Sequence, residues 1–402
     1  MPRDDADVML DAWRFLAEPD SQDLIKAASA SSPGDVAAVA RLRRNWSQTQ
    51  VVAALELCEA RRRAHGKFDD PEQLYADREG LEQATGSIIA RYKTNRLADA
   101  GVTEISDLCC GIGGDAMALA ARMDVTGFDR DPVKAWMTGK NASCQTRCED
   151  ILESTIPAGP VHIDPARRSD TDGTRRHDPS DWIPSADSLQ TLLAAHPDAV
   201  VKMGPGINQD DLVFRRDGDE VEFISLEGKL LQAVLWTGRF AREARRATRC
   251  GTNEILSIEG HEADPPPVQP TDWSGAWLHV PDPALERAEL LGVLCREWNL
   301  YEPAAGLGLL VGETPADTPW LTPYQVVDHM PWRPARIKAW LKSHDAGIIE
   351  LRTRGKAIVD VDRLRQDFRG GGSTPWTIFG LRLGLERVAV MTLPRGQSSL
   401  RG

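Results

Sequence analysis

The sequence predicts an α/β protein whose parallel sheet carries a ligand site at its carboxyl edge. Four short apolar runs predict buried strands, and they span residues 105–109, 125–128, 161–163 and 199–203. Helical patterns separate several of these runs, which is the order expected of a parallel sheet with crossover helices. Glycines follow the first run, and an aspartate follows the second and the third, at the edge where open α/β sheets bind their ligands.

The first 95 residues are predicted to form a helical domain ahead of the sheet. Apolar residues recur at helical spacing in four segments, which span residues 8–17, 33–46, 51–64 and 81–97. Arginine clusters in the second and third segments could hold phosphates, although a solvated helix face is the commoner role of such clusters. The last segment carries Gln83 and Thr85 and leads directly into the first strand.

The first predicted strand continues into a glycine turn, and the stretch reads DLCCGIGGD. Its glycines are Gly111, Gly113 and Gly114. Glycines allow a sharp turn and a close approach of the backbone to a ligand. Asp115 is predicted to cap the helix that follows, over residues 116–123. The spacing from Gly111 to Ala116 also satisfies the relaxed dinucleotide fingerprint, so the glycines alone leave a nicotinamide cofactor open.

Three aspartates around this unit have positions that suit a nucleoside-containing ligand. Asp107 lies inside the first strand, where its carboxylate can meet the ammonium of an amino-acid-like ligand. Asp129 ends the second strand, about one βαβ step later, where it can accept hydrogen bonds from two ribose hydroxyls. Asp150 follows a further candidate strand, at residues 146–149, and is positioned to accept a hydrogen bond from an adenine amino group.

The predicted strand at residues 161–163 ends in Asp164-Pro165-Ala166-Arg167-Arg168, an acid–proline pair at the ligand edge of the sheet. Inside this strand, His162 alternates with two apolar residues, and this favours a core histidine over a catalytic base. Lys202 closes the strand at residues 199–203, where it either borders the cleft or caps the sheet.

Together these motifs resemble the class I S-adenosylmethionine-dependent methyltransferases. DLCCGIGG is similar to the DxxCGxGG form of the trimethylguanosine-synthase-like, RNA guanine-N2 branch. Cys109 stands where the commoner form has its first glycine, and DPAR replaces the usual NPPY, DPPY or SPPW. The resemblance implies a Rossmann-like methyltransferase domain over residues 96–262 that binds S-adenosyl-L-methionine. The implied cofactor-binding residues are Gln83, Asp107, Cys109, Gly111, Gly113, Gly114, Asp115, Asp129, Arg130 and Asp150.

The resemblance also implies that Asp164, Pro165 and Arg167 are catalytic. Methyl transfer to an exocyclic amine needs alignment more than acid–base help. Asp164 is expected to accept a hydrogen bond from the amine and to stabilise the charge that develops there. Pro165 is expected to stiffen the loop. Arg167, with Arg168, suits a phosphate or a guanine edge, and a salt bridge to a nearby aspartate is equally expected.

The composition argues against membrane, secreted and metal-binding proteins. The sequence contains no run of 18 apolar residues, and its acidic start is unlike a secretory signal. The 7 cysteines are an odd number and mostly scattered, which predicts reduced thiols in a cytoplasmic protein. Cys144 and Cys148 have the spacing of a zinc pair, but no second pair follows at usable spacing, so no metal is expected.

The charge is distributed unevenly along the chain. The net charge is −12, but residues 331–402 hold 14 Lys and Arg against 6 Asp and Glu. That segment therefore carries +8, and the remainder carries −20. A sign difference of this kind within one chain is typical of a module that faces nucleic acid.

A proline-rich linker at residues 260–270 precedes a smaller predicted α+β domain over residues 275–396. Helices are predicted at residues 282–298 and 333–344, and strands at 348–352, 377–383 and 388–393. The part from Arg333 onwards resembles the THUMP-like domain appended to this methyltransferase group, mainly through Arg352, Arg354 and Gly355.

The leading hypothesis is an S-adenosylmethionine-dependent methyltransferase acting on an exocyclic amine of structured RNA, with rRNA or tRNA as the partner. A small-molecule or protein methyltransferase is the enzymatic alternative, because the acidic bulk of the chain does not favour RNA. A non-catalytic RNA-binding protein is a further alternative, because DPAR lacks the motif's aromatic residue. A nicotinamide-dependent oxidoreductase is disfavoured, because no Tyr-x-x-x-Lys or comparable hydride-transfer arrangement is present.

Overall fold

The structure is a computed structural model that describes residues 3–31, 35–167, 182–209, 212–355 and 361–393. Contacts divide the chain into two compact units. The first comprises Met1–Leu226, Leu231–Ala244 and Cys250–Glu254, and the second comprises Glu227–Leu230, Arg245–Arg249 and Ile255–Gly402. Among the described residues, no helix combines the length and the apolar character that crossing a bilayer requires.

The described residues at the start of the first unit form six α-helices, where the apolar spacing predicts four helical segments and does not reveal the one at residues 22–29. Their bounds are α1 (Arg3–Phe15), α2 (Gln22–Ser29), α3 (Val36–Leu42), α4 (Gln48–Ala64), α5 (Arg78–Gln83) and α6 (Ser87–Asp99). Helix α4 starts at a capping box in which Ser47 and Gln50 bond reciprocally. Its buried face includes Val51 and Leu57, which are fully enclosed against α1 and α2. Complete burial of such aliphatic side chains stabilises the fold by about 1.5–3 kcal/mol each.

The predicted helix at residues 81–97 is wrong in one respect, because two helices occupy this segment. Helix α5 ends at Gln83, and α6 begins at Ser87 after Gly86. Apolar residues continue at helical spacing through the break, so the spacing does not reveal it. The connection at Ala84 and Thr85 lies directly on Gly114, where an added Cβ would be 2.8 Å from the Thr85 carbonyl oxygen.

The strands and crossover helices of the first unit follow in alternation. The strands are β1 (Glu104–Leu108), β2 (Asp124–Asp129), β3 (Gln145–Cys148), β4 (Val161–Ile163), β5 (Ala166–Arg167), β6 (Trp182–Ile183), β7 (Ala199–Met203), β8 (Glu220–Leu226) and β9 (Lys229–Trp236). The helices are α7 (Gly114–Ala120), α8 (Pro132–Ala142) and α9 (Ala186–Ala195). Within the large sheet, this unit holds the order β8-β9-β7-β4-β1-β2-β3, and β5 pairs with β6 separately.

Strands β3, β2, β1, β4 and β7 are parallel to one another, and β9 is antiparallel to β7. The central strands β4 and β7 are almost wholly buried, as expected when helices cover both faces of a parallel sheet. The α/β, Rossmann-like class is therefore confirmed. Because β4 and β2 are the neighbours of β1, the segments that follow these three strands meet at one edge.

The second unit contains a six-stranded sheet ordered β13-β12-β14-β17-β16-β15. Strand β10 (Arg245–Cys250) belongs to this unit except for its last residue, Cys250. The elements that follow are β11 (Ile255–Gly260), β12 (Trp277–Pro281), α10 (Pro283–Arg287), α11 (Leu291–Trp298), β13 (Leu310–Gly312), β14 (Leu321–Pro331), α12 (Pro334–Ser343), β15 (Ala346–Arg354), α13 (Val361–Phe368), β16 (Thr374–Leu383) and β17 (Glu386–Leu393). The single helix predicted at residues 282–298 is interrupted, because Glu289 has a left-handed φ of 59°.

Candidate functional site

The carboxyl edge of the sheet holds Asp129 against the glycine turn. The backbone N–H of Gly111 donates to Asp129 Oδ2 at 2.9 Å, and that of Asp131 donates to Asp129 Oδ1 at 2.9 Å. Burial raises the pKa of Asp129, and these two backbone hydrogen bonds partly offset that effect. The end of β2 is thereby fixed to the turn that follows β1.

The glycine turn has left-handed backbone at three positions. φ is 60° at Cys109, 58° at Gly111 and 84° at Gly113. An added Cβ at Gly111 would meet no atom within 4 Å, whereas one at Gly113 would lie 3.1 Å from the Cα of Thr138. The Thr138 hydroxyl donates to the Gly111 carbonyl at 2.8 Å, so α8 supports the turn from one side. Space beside Gly111 leaves its backbone accessible to a ligand.

Helix α7 begins at Gly114, with Gly113 before it, so the prediction that Asp115 caps this helix is corrected. The Asp115 side chain points into the protein instead. Its Oδ1 lies 2.6 Å from the Lys93 ammonium, and its Oδ2 accepts from the Thr85 hydroxyl at 2.7 Å. Burial raises the pKa of Asp115, but Lys93 and His162 outweigh it and hold that pKa well below its usual range.

A second carboxylate, Asp107, joins the same buried network. Asp107 pairs in register with His162 across β1 and β4, and His162 Nδ1 lies 2.7 Å from Asp107 Oδ1. His162 Nε2 lies 3.1 Å from the Lys93 ammonium. Asp107 and His162 are each 1% exposed, and Asp107 Oδ2 has no hydrogen-bond partner among the described residues. Burial raises the pKa of Asp107, and His162 acts against that rise.

Asp164 lies at the other side of β1 from Asp129. Its backbone N–H donates to the Leu108 carbonyl at 3.1 Å, which fixes the end of β4 beside the end of β1. Its carboxylate is partly exposed, and Oδ2 lies 2.7 Å from the Lys202 ammonium. Lys202 also donates to the backbone carbonyl of Gln83 at 2.8 Å. The end of α5 is thus joined to β4 and β7.

The remaining predicted site residues differ in how close they lie to this arrangement. The exposed Gln83 side chain bonds to Glu79 at 3.1 Å, so only its carbonyl enters the network. Asp150 Oδ1 accepts from the backbone N–H of Leu152 at 3.0 Å, within the turn after β3. Arg130 is exposed beside Asp129, and Pro165 is buried after Asp164.

Arg167 lies in β5, where it pairs with Trp182, but its side chain lies outside the described residues, as do Arg168 and the aspartates expected to pair with it. The prediction of a phosphate or guanine contact from this segment therefore stays a prediction. Phe128 lies near the end of β2, where an adenine ring could bind beside it, but its side chain is completely enclosed in the core.

Lys93 was not predicted as a member of this network, whereas His162 is a buried, hydrogen-bonded core histidine, as its alternation with apolar residues predicts. A signal for Lys93 exists, because Ile89, Ala90, Lys93 and Leu97 share one helical face of α6 and all four are buried. A lysine among apolar residues on such a face requires a buried partner. No group of three or more His, Cys, Asp or Glu is placed to hold a metal ion in the part of the chain that the structure describes.

Comparisons with known proteins agree with this arrangement. Two relatives from Mycobacterium tuberculosis, in strains CDC 1551 and H37Rv, are each described as an uncharacterized S-adenosylmethionine-dependent methyltransferase. Each is 31% identical over 347 residues, which cover 83% of this chain and 93% of the relative. Residues 321–394 match the family described as THUMP domain-like.

A solved structure of a candidate methyltransferase from Porphyromonas gingivalis W83 is similar in fold. Its TM-score is 0.68 at 17% identity, and the match covers 97% of this chain and 98% of that one. The similarity to this solved structure supports the fold assignment. The two Mycobacterium relatives show to which family the chain belongs. This chain belongs to the S-adenosylmethionine-dependent methyltransferases and carries a THUMP-like domain at residues 321–394.

Proposed function

We propose that this methyltransferase acts on an exocyclic amine of a base in structured RNA, as the resemblance to the guanine-N2 branch implies. The observation that carries this proposal is the position of Asp164. A partly exposed carboxylate follows β4 at the same sheet edge as the glycine turn, with one oxygen held by Lys202 at 2.7 Å. The other oxygen, Oδ1, has no partner among the described residues and is available to a hydrogen-bond donor of the substrate.

The residues around the glycine turn fit S-adenosylmethionine, which supplies an electrophilic methyl group when bound. Asp107 offers a buried carboxylate oxygen that lacks a partner within the described chain, as a ligand ammonium requires. Gly111 offers backbone with open space beside it. Asp129 is assigned to the ribose hydroxyls and Asp150 to the adenine. Further contacts are assigned to Gln83, Cys109, Gly113, Gly114, Asp115 and Arg130.

Asp164 is assigned two effects on the substrate amine. Its Oδ1 accepts a hydrogen bond from the amine and thereby orients the nitrogen lone pair. Its negative charge stabilises the positive charge that develops on the nitrogen, and removal of such a group typically costs about 10²–10³ in rate. Pro165 cannot donate a backbone hydrogen bond, so the loop presents carbonyl groups to the base. Arg167 is assigned to a phosphate or to a guanine edge.

RNA as the substrate is supported by the second unit. The THUMP-like match lies in the part of the chain where positive charge accumulates, and residues 331–402 carry 14 Lys and Arg against 6 Asp and Glu. Phosphate contacts from Lys and Arg supply most of the non-specific affinity for nucleic acid. The proposal assigns the holding of the RNA to this domain and the chemistry to the first unit.

The test is methyl transfer from isotope-labelled S-adenosylmethionine to RNA extracted from cells that lack the gene. Mass spectrometry of the digested nucleosides should find the label on an exocyclic nitrogen of one base. Asp164→Asn should lose transfer and keep cofactor affinity. Label that enters only protein or small molecules would replace the RNA proposal with the corresponding methyltransferase class. Cofactor binding without transfer to any fraction would favour a non-catalytic RNA-binding role.

A further inference from the structure

The four charged or polar side chains around Asp107 form an enclosed network with an unbalanced charge. Lys93 is a donor only, because an ammonium group has no lone pair. His162 Nε2, at 3.1 Å from that ammonium, must therefore accept, and Nδ1 carries the proton that it donates to Asp107 at 2.7 Å. With only this one proton the imidazole is neutral. One lysine then faces two carboxylates, Asp107 and Asp115, and the network holds one negative charge in excess unless the Asp107–His162 pair takes up a second proton, for which His162 Nε2 lies 3.6 Å from Asp115 Oδ2.

An excess charge of this kind is costly in a site from which water is excluded. Asp107, His162 and Lys93 are each 1% exposed, and no described donor reaches Asp107 Oδ2. A buried carboxylate without a compensating cation either takes up a proton or binds a ligand that brings positive charge. Asp107 Oδ2 can hold a proton or contact a positively charged ligand, but it cannot do both at once.

We propose that His162 and Lys93 are positioning residues for Asp107, and that the cofactor's ammonium displaces a proton that the Asp107–His162 pair holds when the site is empty. The inference rests on the proposed contact between Asp107 and the ammonium. In the empty protein the extra proton neutralises the network. When the cofactor binds, its ammonium supplies the positive charge that the extra proton supplied before. The proton passes to solvent, and His162 returns to its neutral form with hydrogen on Nδ1. No other bond changes.

Burial raises the pKa of Asp107, and this supports the uptake of a proton by the Asp107–His162 pair in the empty protein. Other titratable groups also lie near the pair. They are Lys93 on α6, Cys109 and Cys110 after β1, Asp115 on α7, Cys144 before β3, Asp164 after β4 and Lys202 on β7. Burial raises the pKa of each of these three cysteines, so they stay protonated thiols.

The test uses the whole chain and three ligands, of which two carry the ammonium group and one does not. S-adenosylmethionine and S-adenosylhomocysteine both carry the ammonium, and methylthioadenosine lacks the amino-acid part. Titration calorimetry in two buffers of different ionisation enthalpy counts the protons released. We expect up to one proton released by each of the first two ligands and none by methylthioadenosine. The affinity of the first two should fall about tenfold per pH unit below the pKa of the displaced proton and level off above it.

A variant isolates the histidine. His162→Phe keeps a buried ring but removes both nitrogens, so Asp107 loses the group that lowers its pKa, and the fall of affinity with decreasing pH should begin at a higher pH than in the wild type. Affinity for S-adenosylhomocysteine should fall about ten- to a hundredfold, and that for methylthioadenosine should be unchanged. His196→Phe is the matched control, because His196 is also buried and its ring lies 3.3 Å from the Gly159 carbonyl instead of in the network around Asp107.

The outcomes separate this inference from the proposed function. Equal proton counts and equal pH dependence for methylthioadenosine and S-adenosylhomocysteine would overturn the inference, whatever the substrate proves to be. Proton release by the two amino-acid ligands with no methyl transfer to RNA would uphold it and reject the RNA proposal. The ligand comparison needs only the wild-type protein, so it decides the question even if His162→Phe does not fold.

Discussion

The ammonium of Lys202 lies 2.7 Å from the carboxylate of Asp164, and the aspartate side chain is the more exposed of the two. This pair holds one oxygen of the carboxylate, and the proposed function assigns the other oxygen to the substrate amine. Because Lys202 also binds the Gln83 carbonyl, three segments distant in the sequence determine the position of one carboxylate. Substitutions at either member of the pair should therefore affect turnover more than cofactor binding.

Asp164→Asn should reduce kcat by about 10²–10³, because the amide lacks the charge that stabilises the developing cation on the amine. The affinity for S-adenosylmethionine should change by less than about threefold. Transfer of labelled methyl and titration calorimetry measure the two quantities. A variant with wild-type turnover would remove Asp164 from the chemistry.

Lys202→Met should lower kcat by about tenfold or more, because Asp164 loses the donor that orients it. Lys26→Met, on the exposed face of α2, is the matched control and should behave as the wild type. Lys202→Arg should restore part of the activity if the charge alone matters. A large loss of cofactor affinity in Lys202→Met, with kcat retained, would contradict the role given to this lysine.

Cys109 has a left-handed φ of 60°, a conformation that costs a side-chain-bearing residue about 1–2 kcal/mol. Cys109→Gly should therefore be more stable than Cys109→Ala by about 1 kcal/mol, since both remove the sulfur and only glycine adopts this backbone freely. Chemical unfolding curves of the two variants measure the difference. Equal midpoints would show that the turn is not strained at this residue.

Gly114→Ala should destabilise the first unit by about 1–3 kcal/mol, because the new methyl group would lie 2.8 Å from the Thr85 carbonyl oxygen. Gly371→Ala is the control, because a methyl group there meets no atom within 4 Å. Unfolding midpoints of both variants and of the wild type provide the comparison. An unchanged midpoint for Gly114→Ala would mean that the connection between α5 and α6 moves at little cost.

Local patterns were sufficient to predict the sheet and its glycine turn. The apolar run before Gly111 and the strand that ends at Asp129 are both signalled within a few residues, and both strands are confirmed. The breaks between α5 and α6 and between α10 and α11 were missed, because apolar spacing continues across both. The start of α7 was misassigned, because Asp115 resembles a cap in sequence but bonds to Lys93 and Thr85 in space.

The buried network could not be predicted, because its members are far apart in the chain. Lys93 and His162 are separated by 69 residues, and their contact depends on α6 packing over the sheet beside β4. Pairing of Asp107 with His162 follows from the register of β1 and β4, which strand patterns do not specify. The roles assigned to the cofactor-binding residues, and the predicted domain boundaries at residues 95 and 262, stay predictions.

Thr85 and Lys93 belong to the helical region, yet both serve Asp115 of the sheet region. A polypeptide starting at residue 96 would keep the whole glycine motif but would lack Lys93 and Thr85. The buried Asp115 carboxylate would then have neither its cation nor its hydroxyl donor, which should lower the free energy of unfolding by about 3–5 kcal/mol. We therefore expect the opening helices to fold together with the methyltransferase sheet and not as an independent module.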